Sequence, residues 1–350
     1  MIKIIHTTVI IFILLGITSC RKEKYVNSAI SDNYYYSLDS TKILYDGEYK
    51  LVNVQTPNYK EVPADVKSFR PISADFAKDT SNVFYTNVIL MNVHRRSFYW
   101  DNINKLPKDR YHVYLPTTNS NMLTIIRYAD PQTYEKVDLG YDCLFWYRDR
   151  NHYFYNHKLT LADRTSLNFT CPLLPYDNQQ VFYLKYGQLE SRRYNGSINV
   201  INNNMLYDDK CFYASYECDS TSCAVFIDYK DKNSLHFFDD DMLYFSIDSS
   251  IYYKGRGMAA DLSTFRILNK KYSMDRKSVY YEDNSISGSD PATFRILNDK
   301  YAKDRYQVYQ DGRVLPQYKP VSFISDKWGR YPADSDYGEE LPKKRKVWGN

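Results

Sequence analysis

The sequence predicts an all-β protein built as a tandem repeat of β-hairpin units. Three observations predict it: the aromatic content, a short motif that returns in one register, and the turn residues between its copies. The chain has 37 Tyr among 350 residues against only 12 Gly, and 17% of it is aromatic. Aromatic and β-branched residues suit a pleated, half-buried surface and favour strands. Length alone suggests more than one domain, but internal repetition is the better guide to architecture.

The clearest copies lie toward the C-terminus. The stretch from Ala260 and Asp261 through Thr264, Phe265, Arg266, Ile267 and Leu268 to Asn269 returns as Ser289 and Asp290 through Thr293, Phe294, Arg295, Ile296 and Leu297 to Asn298. The shift is 29 residues, and it also carries Tyr272 to Tyr301, Asp275 to Asp304, Val279 to Val308 and Tyr280 to Tyr309. Asp65, Phe69, Phe76, Asp79, Val83 and Phe84 keep the same spacing, and Asp163, Leu167, Asp177, Val181 and Phe182 keep most of it. Looser copies centre on Asp39, Asp109, Asp149 and Asp231, with Asp208 and Asp248 as degenerate members.

Each part of the motif has a physical reading. Val-Tyr-Tyr is strand chemistry. The Asp before it is turn chemistry, because its carboxylate can accept from a backbone N–H two residues on. Asp311-Gly312 and Asp46-Gly47 are hairpin signals. The Asp-x3-Phe segment is either a third strand or one Asp-capped helical turn, and the alternation of Thr264, Phe265, Arg266 and Ile267 reads as strand. Such a unit cannot bury its face alone, so neighbours must stack. An elongated or curved stack is expected, with propeller-like closure as the alternative. Asp79, Asp177, Asp261, Phe265, Asp275, Asp290, Phe294 and Asp304 are the structural signature of the repeat.

These residues resemble the DKNYY family, named for an Asp-Lys-Asn-Tyr-Tyr-like core. Here that core stands as Asp275 through Val279, Tyr280 and Tyr281, as Asp304 through Val308 and Tyr309, and as Asp231-Lys232-Asn233, with Asp290-Pro291-Ala292-Thr293-Phe294 as partner motif. The similarity is strongest over 258–316. It implies a β-repeat fold in an exported or lipid-anchored bacterial protein, and it carries over no catalytic residue. The expected organisation is a leader over 1–19, a tether over 20–33, repeats over 34–185, degenerate repeats over 186–250, the best-matching repeats over 251–320 and a polar basic tail over 321–350.

The leader is read from Val9–Ile17, nine uncharged residues followed by Thr18, Ser19 and Cys20. A bilayer span needs about 20 apolar residues, so this run has the length of a signal-peptide core instead. Ile17-Thr18-Ser19-Cys20 resembles the lipobox of bacterial lipoproteins, which implies cleavage before Cys20 and acylation of its thiol. The expected location is the cell envelope, lipid-anchored. The basic pair Arg21-Lys22 stands where surface-export signals resemble acidic runs, so the periplasmic side of the outer membrane is favoured over the surface.

The net charge of +4 misleads. Lys3 leaves with the leader, and Lys343, Lys344, Arg345 and Lys346 concentrate four positive charges in the tail. The body between is near neutral, which speaks against a nucleic-acid platform. The tail resembles a nuclear import signal, which in an exported chain reads as a solvated charge run.

No phosphate loop, zinc-protease motif or nucleophile elbow occurs. His152 and His157 stand five apart and are a weak candidate metal pair, read as ordinary turn histidines. Asp239-Asp240-Asp241 reads as turn chemistry, since calcium solenoids need Gly-rich turns. Export permits disulfides, and a bridge is considered among Cys211, Cys218 and Cys223, while Cys143 and Cys171 read as buried strand cysteines. No cofactor is implied. The expected function is a non-catalytic binding module for protein or polysaccharide, with acylated Cys20 contacting membrane lipid. A glycan-acting enzyme with paired carboxylates and a purely structural spacer are the alternatives.

Overall fold

The computed structural model describes residues 24–46, 59–117, 120–141, 144–216 and 224–323. The chain divides into two compact units, one of residues 1–140 with 145–164 and one of residues 141–144 with 165–350. The leader, Cys20, Cys143, Cys218, Cys223 and the basic tail lie outside the described residues.

The fold is all-β, a series of small antiparallel sheets with none closed into a barrel. Each regular repeat is a four-stranded meander rather than a lone hairpin. In the best-matching pair the strands are Arg266–Ile267, Tyr272–Met274, Val279–Tyr281 and Asn284–Ser285, then Arg295–Ile296, Tyr301–Lys303, Val308–Gln310 and Arg313–Val314. The two inner strands form the tight hairpin that holds Asp275 or Asp304, and a short strand flanks each side. In the first unit the same order is seen in Arg70–Pro71, Phe76–Lys78, Val83–Tyr85 and Val88–Ile89. The stretch read as degenerate folds the same way in Asn199–Asn202, Met205–Tyr207, Cys211–Ala214 and Val225–Asp228.

Stacking explains the Val-Tyr pair. Neighbouring strand residues point to opposite faces of a sheet. Val279 packs toward the following repeat, in a cluster with Ala302 and Tyr309. Tyr280 packs toward the preceding one, in a cluster with Tyr244, Ile251 and Tyr253. Val83 and Phe84 divide in the same way in the first unit. Both faces are covered, so successive residues are both buried. Burying each Val or Phe contributes about 1.5–3 kcal/mol.

Three expectations are corrected. Asp-x3-Phe is a capped turn, not a strand: the Thr264 N–H donates to the Asp261 carbonyl at 3.1 Å, and the strand starts only after Phe265, at Arg266. In Arg95–Ser97 and Lys232–Ser234 the same turn is a 3-10 helix. Asp favours this because its side chain satisfies N–H groups that a strand would send to a neighbour. The repeats also begin earlier than the expected tether allows. Tyr25–Asn27 pairs with Ser31–Tyr36, and the Tyr25 and Tyr35 rings lie 4.8 Å apart. They also run past 320, since the Phe323 N–H bonds to the Lys319 carbonyl and the Phe323 ring is buried against Tyr301 and Tyr318.

The predicted Asp311-Gly312 hairpin is present with φ values of 47° and 76°. A Cβ on Gly312 would sit 2.5 Å from the Tyr281 Cβ, so both backbone conformation and space require glycine there. Gly47, of the other predicted pair, lies outside the described residues.

Candidate functional site

The repeated Asp is the most connected side chain of each repeat. At Asp304, Oδ1 accepts from the N–H groups of Tyr306 and Gln307 at 2.7 and 2.8 Å. Its Oδ2 accepts from the Asp290 N–H at 2.8 Å and the Tyr309 hydroxyl at 2.6 Å. Asp275 makes the same bonds to Lys277, Ser278, Asp261 and Tyr280. One carboxylate thus closes its own hairpin and fastens the capped turn 14 residues upstream.

The clamp recurs with small changes. Asp79 holds Ser81, Asn82 and Asp65, but Phe84 supplies no hydroxyl. Asp109 holds Tyr111, His112, His94 and Tyr114, and Asp208 holds Lys210, Cys211, Asn195 and Tyr213. Asp177 accepts from Gln179 and Gln180. Burial alone would push the Asp79, Asp109 and Asp275 carboxyls up. There the hydrogen-bond donors outweigh it and hold the carboxyl below its usual range.

A second bond set locks the capped turn. Asp290 Oδ2 accepts from the Thr293 hydroxyl at 2.6 Å, and that hydroxyl oxygen accepts from the Arg305 N–H at 3.1 Å. Arg305 Nε then reaches Asp290 at 3.0 Å. Asp261, Thr264 and Arg276 repeat the arrangement. Phe294 wedges between Tyr272 of the preceding repeat and its own Tyr309, at 5.6 and 5.5 Å between ring centroids. Phe265 contacts Phe238 and Tyr244. The signature residues are brought together as a structural device, with the Asp carboxylates committed to backbone N–H groups and to hydroxyl and guanidinium donors of the repeats.

The other candidates are dispersed. His152 and His157 stand at opposite ends of the strand Tyr153–Tyr155. His152 lies 3.6 Å from Asp149, while His157 bonds to the Tyr134 hydroxyl at 3.0 Å and packs on Tyr147. Burial pushes His157 down to about 4. Asp239 accepts from Leu243 and Tyr244, and Asp241 pairs with Lys270 at 2.8 Å. Among the described residues no three His, Cys, Asp or Glu form a metal-binding group. Cys211 is a free, buried thiol, as is Cys171, and burial pushes both up to about 12. The two partners considered for a bridge with Cys211, Cys218 and Cys223, lie outside the described residues.

Two clefts remain. The larger, about 550 Å³, lies in the first unit and is lined by Ile30, Asp75, Tyr85, Trp100, Asn102 and Lys105 among others. Asp75 is the only carboxylate among its described lining residues. The smaller, about 360 Å³, lies in the second unit beside Arg266, Met274, Arg276 and Pro291, and its one carboxylate is the clamped Asp275.

Sequence reasoning missed the larger cleft, because its residues come from separate repeats and share no spacing. It also missed a lysine just before the clamp Asp. Lys108 Nζ donates to the Tyr134 carbonyl at 2.7 Å, Lys78 Nζ donates to the Phe98 carbonyl, and Lys303 Nζ donates to the Pro320 and Phe323 carbonyls at 2.6 and 2.9 Å. Each tethers its repeat to the capped turn of the next. The recurring Lys-Asp dipeptide was the available signal.

Comparison with known proteins gives one match: residues 272–340 fit the DKNYY family. That range holds the Asp275 and Asp304 hairpins and the Phe323 turn. No curated protein and no solved structure matches the chain.

Proposed function

We propose that the chain is a lipid-anchored, non-catalytic binding module of the bacterial cell envelope, with a polysaccharide or protein as its partner. The observation that carries this reading is the state of the carboxylates. The repeated Asp residues spend their oxygens on backbone N–H groups and tyrosine hydroxyls, and each cleft has a single carboxylate among its described lining residues. Acid–base cleavage of a glycoside uses a pair about 5–10 Å apart. A cleft with aromatic walls and scattered polar groups suits holding a ligand instead.

Membrane contact would come from acyl chains on Cys20, each buried methylene contributing about 0.8 kcal/mol. The test is fractionation of washed envelopes, then cross-linking and identification of the retained component. The wild type should stay with the membrane, and Cys20→Ala should be released with its thermal unfolding unchanged. The purified component should then bind the purified chain and be recovered chemically intact. A firmly bound Cys20→Ala chain overturns the anchor, and a cleaved component overturns the non-catalytic reading.

A further inference from the structure

We infer that the larger cleft is a saccharide subsite taking a short stretch of a neutral glycan. This rests on the binding-module reading and names its ligand class. A sugar ring offers an apolar C–H face and a rim of hydroxyls, so it needs an aromatic plate beside fixed polar groups. The cleft has both. Phe76 is buried and packs between Trp100 at 5.6 Å and Tyr85 at 4.7 Å, which holds those two half-buried rings in the cleft wall. Ring faces fixed in this way supply contact area at little entropic cost.

The polar groups are placed by the same repeats. Asp75 Oδ1 accepts from Asn33 Nδ2 at 2.8 Å and from the Tyr45 hydroxyl at 2.7 Å. Neither bond uses Oδ2, so the carboxylate is oriented with acceptor capacity left for ligand hydroxyls. Asn102 and Lys105 are exposed at the rim and supply further donors and an acceptor. Asp75 and Lys105 are the charged residues among the described lining, one of each sign, which matches a ligand without net charge. The volume lies within the roughly 300–1,000 Å³ of small-molecule sites.

The test is calorimetric titration of the full chain in detergent with hexaoses of glucose, mannose and N-acetylglucosamine. At least one should bind. Trp100→Ala should weaken that binding by about tenfold or more, equivalent to about 1.4 kcal/mol. Because Trp100→Ala removes a packing ring, Asn102→Ala and Lys105→Ala at the exposed rim provide an independent reading. Each should weaken binding severalfold with thermal unfolding unchanged, and Tyr186→Ala, on an exposed hairpin tip of the other unit, should not. Saccharide binding that survives all three cleft variants overturns this site while leaving the binding-module reading standing. Absence of binding to all three hexaoses overturns the glycan assignment, and the envelope cross-linking described above then decides the broader reading separately.

Discussion

Two junctions in the second unit differ at the residue that stands just before the clamp Asp of two repeats in one register. Where the 29-residue shift carries Met274 to Lys303, the clamps around Asp275 and Asp304 are alike bond for bond. The junctions they face are not. Lys303 reaches across and caps two carbonyls of the next turn. Met274 has no donor, and beside it lies the 360 Å³ cleft against Pro291 and Ala292. The motif therefore specifies the inside of a repeat, and the residue before its Asp specifies how closely the next repeat is fastened.

The strongest way to break this comparison is at the clamp itself. Asp304→Ala orphans buried N–H groups and a hydroxyl, each such loss costing about 1–3 kcal/mol, so a total of about 3–5 kcal/mol is expected from denaturant unfolding of the full chain. Asp275→Ala should cost a similar amount. A loss under about 1 kcal/mol at either would show that the carboxylate is not what holds hairpin and turn together.

Acid attacks the same bonds. The clamp carboxyls of Asp79, Asp109 and Asp275 titrate lower in the fold than in the unfolded chain. Their contribution is complete above the unfolded value of about 3.9 and is lost as pH falls through the folded value. Melting temperature should therefore change little between about pH 7 and 5 on account of these groups, and fall below about pH 4. In Asp275→Ala that acid limb should be shallower.

The junction contrast is sharpened by exchanging its residues. Burial, and then the neighbouring Arg295, push the Lys303 ammonium below its usual value, so its two carbonyl bonds partly offset a desolvation cost. Lys303→Met should cost only about 1–2 kcal/mol, mostly from the orphaned carbonyls. Met274→Lys should fill the smaller cleft and shift stability by less than about 1 kcal/mol. Equal effects of the two exchanges would refute the assigned difference. Tyr309→Phe removes one of four clamp bonds and should cost about 0.5–1.5 kcal/mol. Phe84 already stands at the equivalent place above Asp79.

Much of this was legible in the sequence because the repeat is a local device. Asp275, Val279 and Tyr280 lie within one hairpin, so their spacing reports their bonds. The Asp-x3-Phe turn was misread because two-residue periodicity in Thr264–Ile267 imitates a strand, while the Thr264 hydroxyl is in fact bonded to Asp261 and the Arg276 N–H. The start at Tyr25 was missed because Tyr25–Asn27 is a short flanking strand that carries none of the motif.

By itself, the sequence determined the all-β class, the repeat register and the identity of the clamp residues, since these depend on side chains a few positions apart. Only the tertiary structure decided that each unit is a four-stranded meander, that Lys303 fastens a junction Met274 leaves open, and that Asp75, Tyr85 and Trp100 share one cleft. Those arrangements depend on which residues of different repeats meet, and stacking sets that without leaving a spacing in the chain.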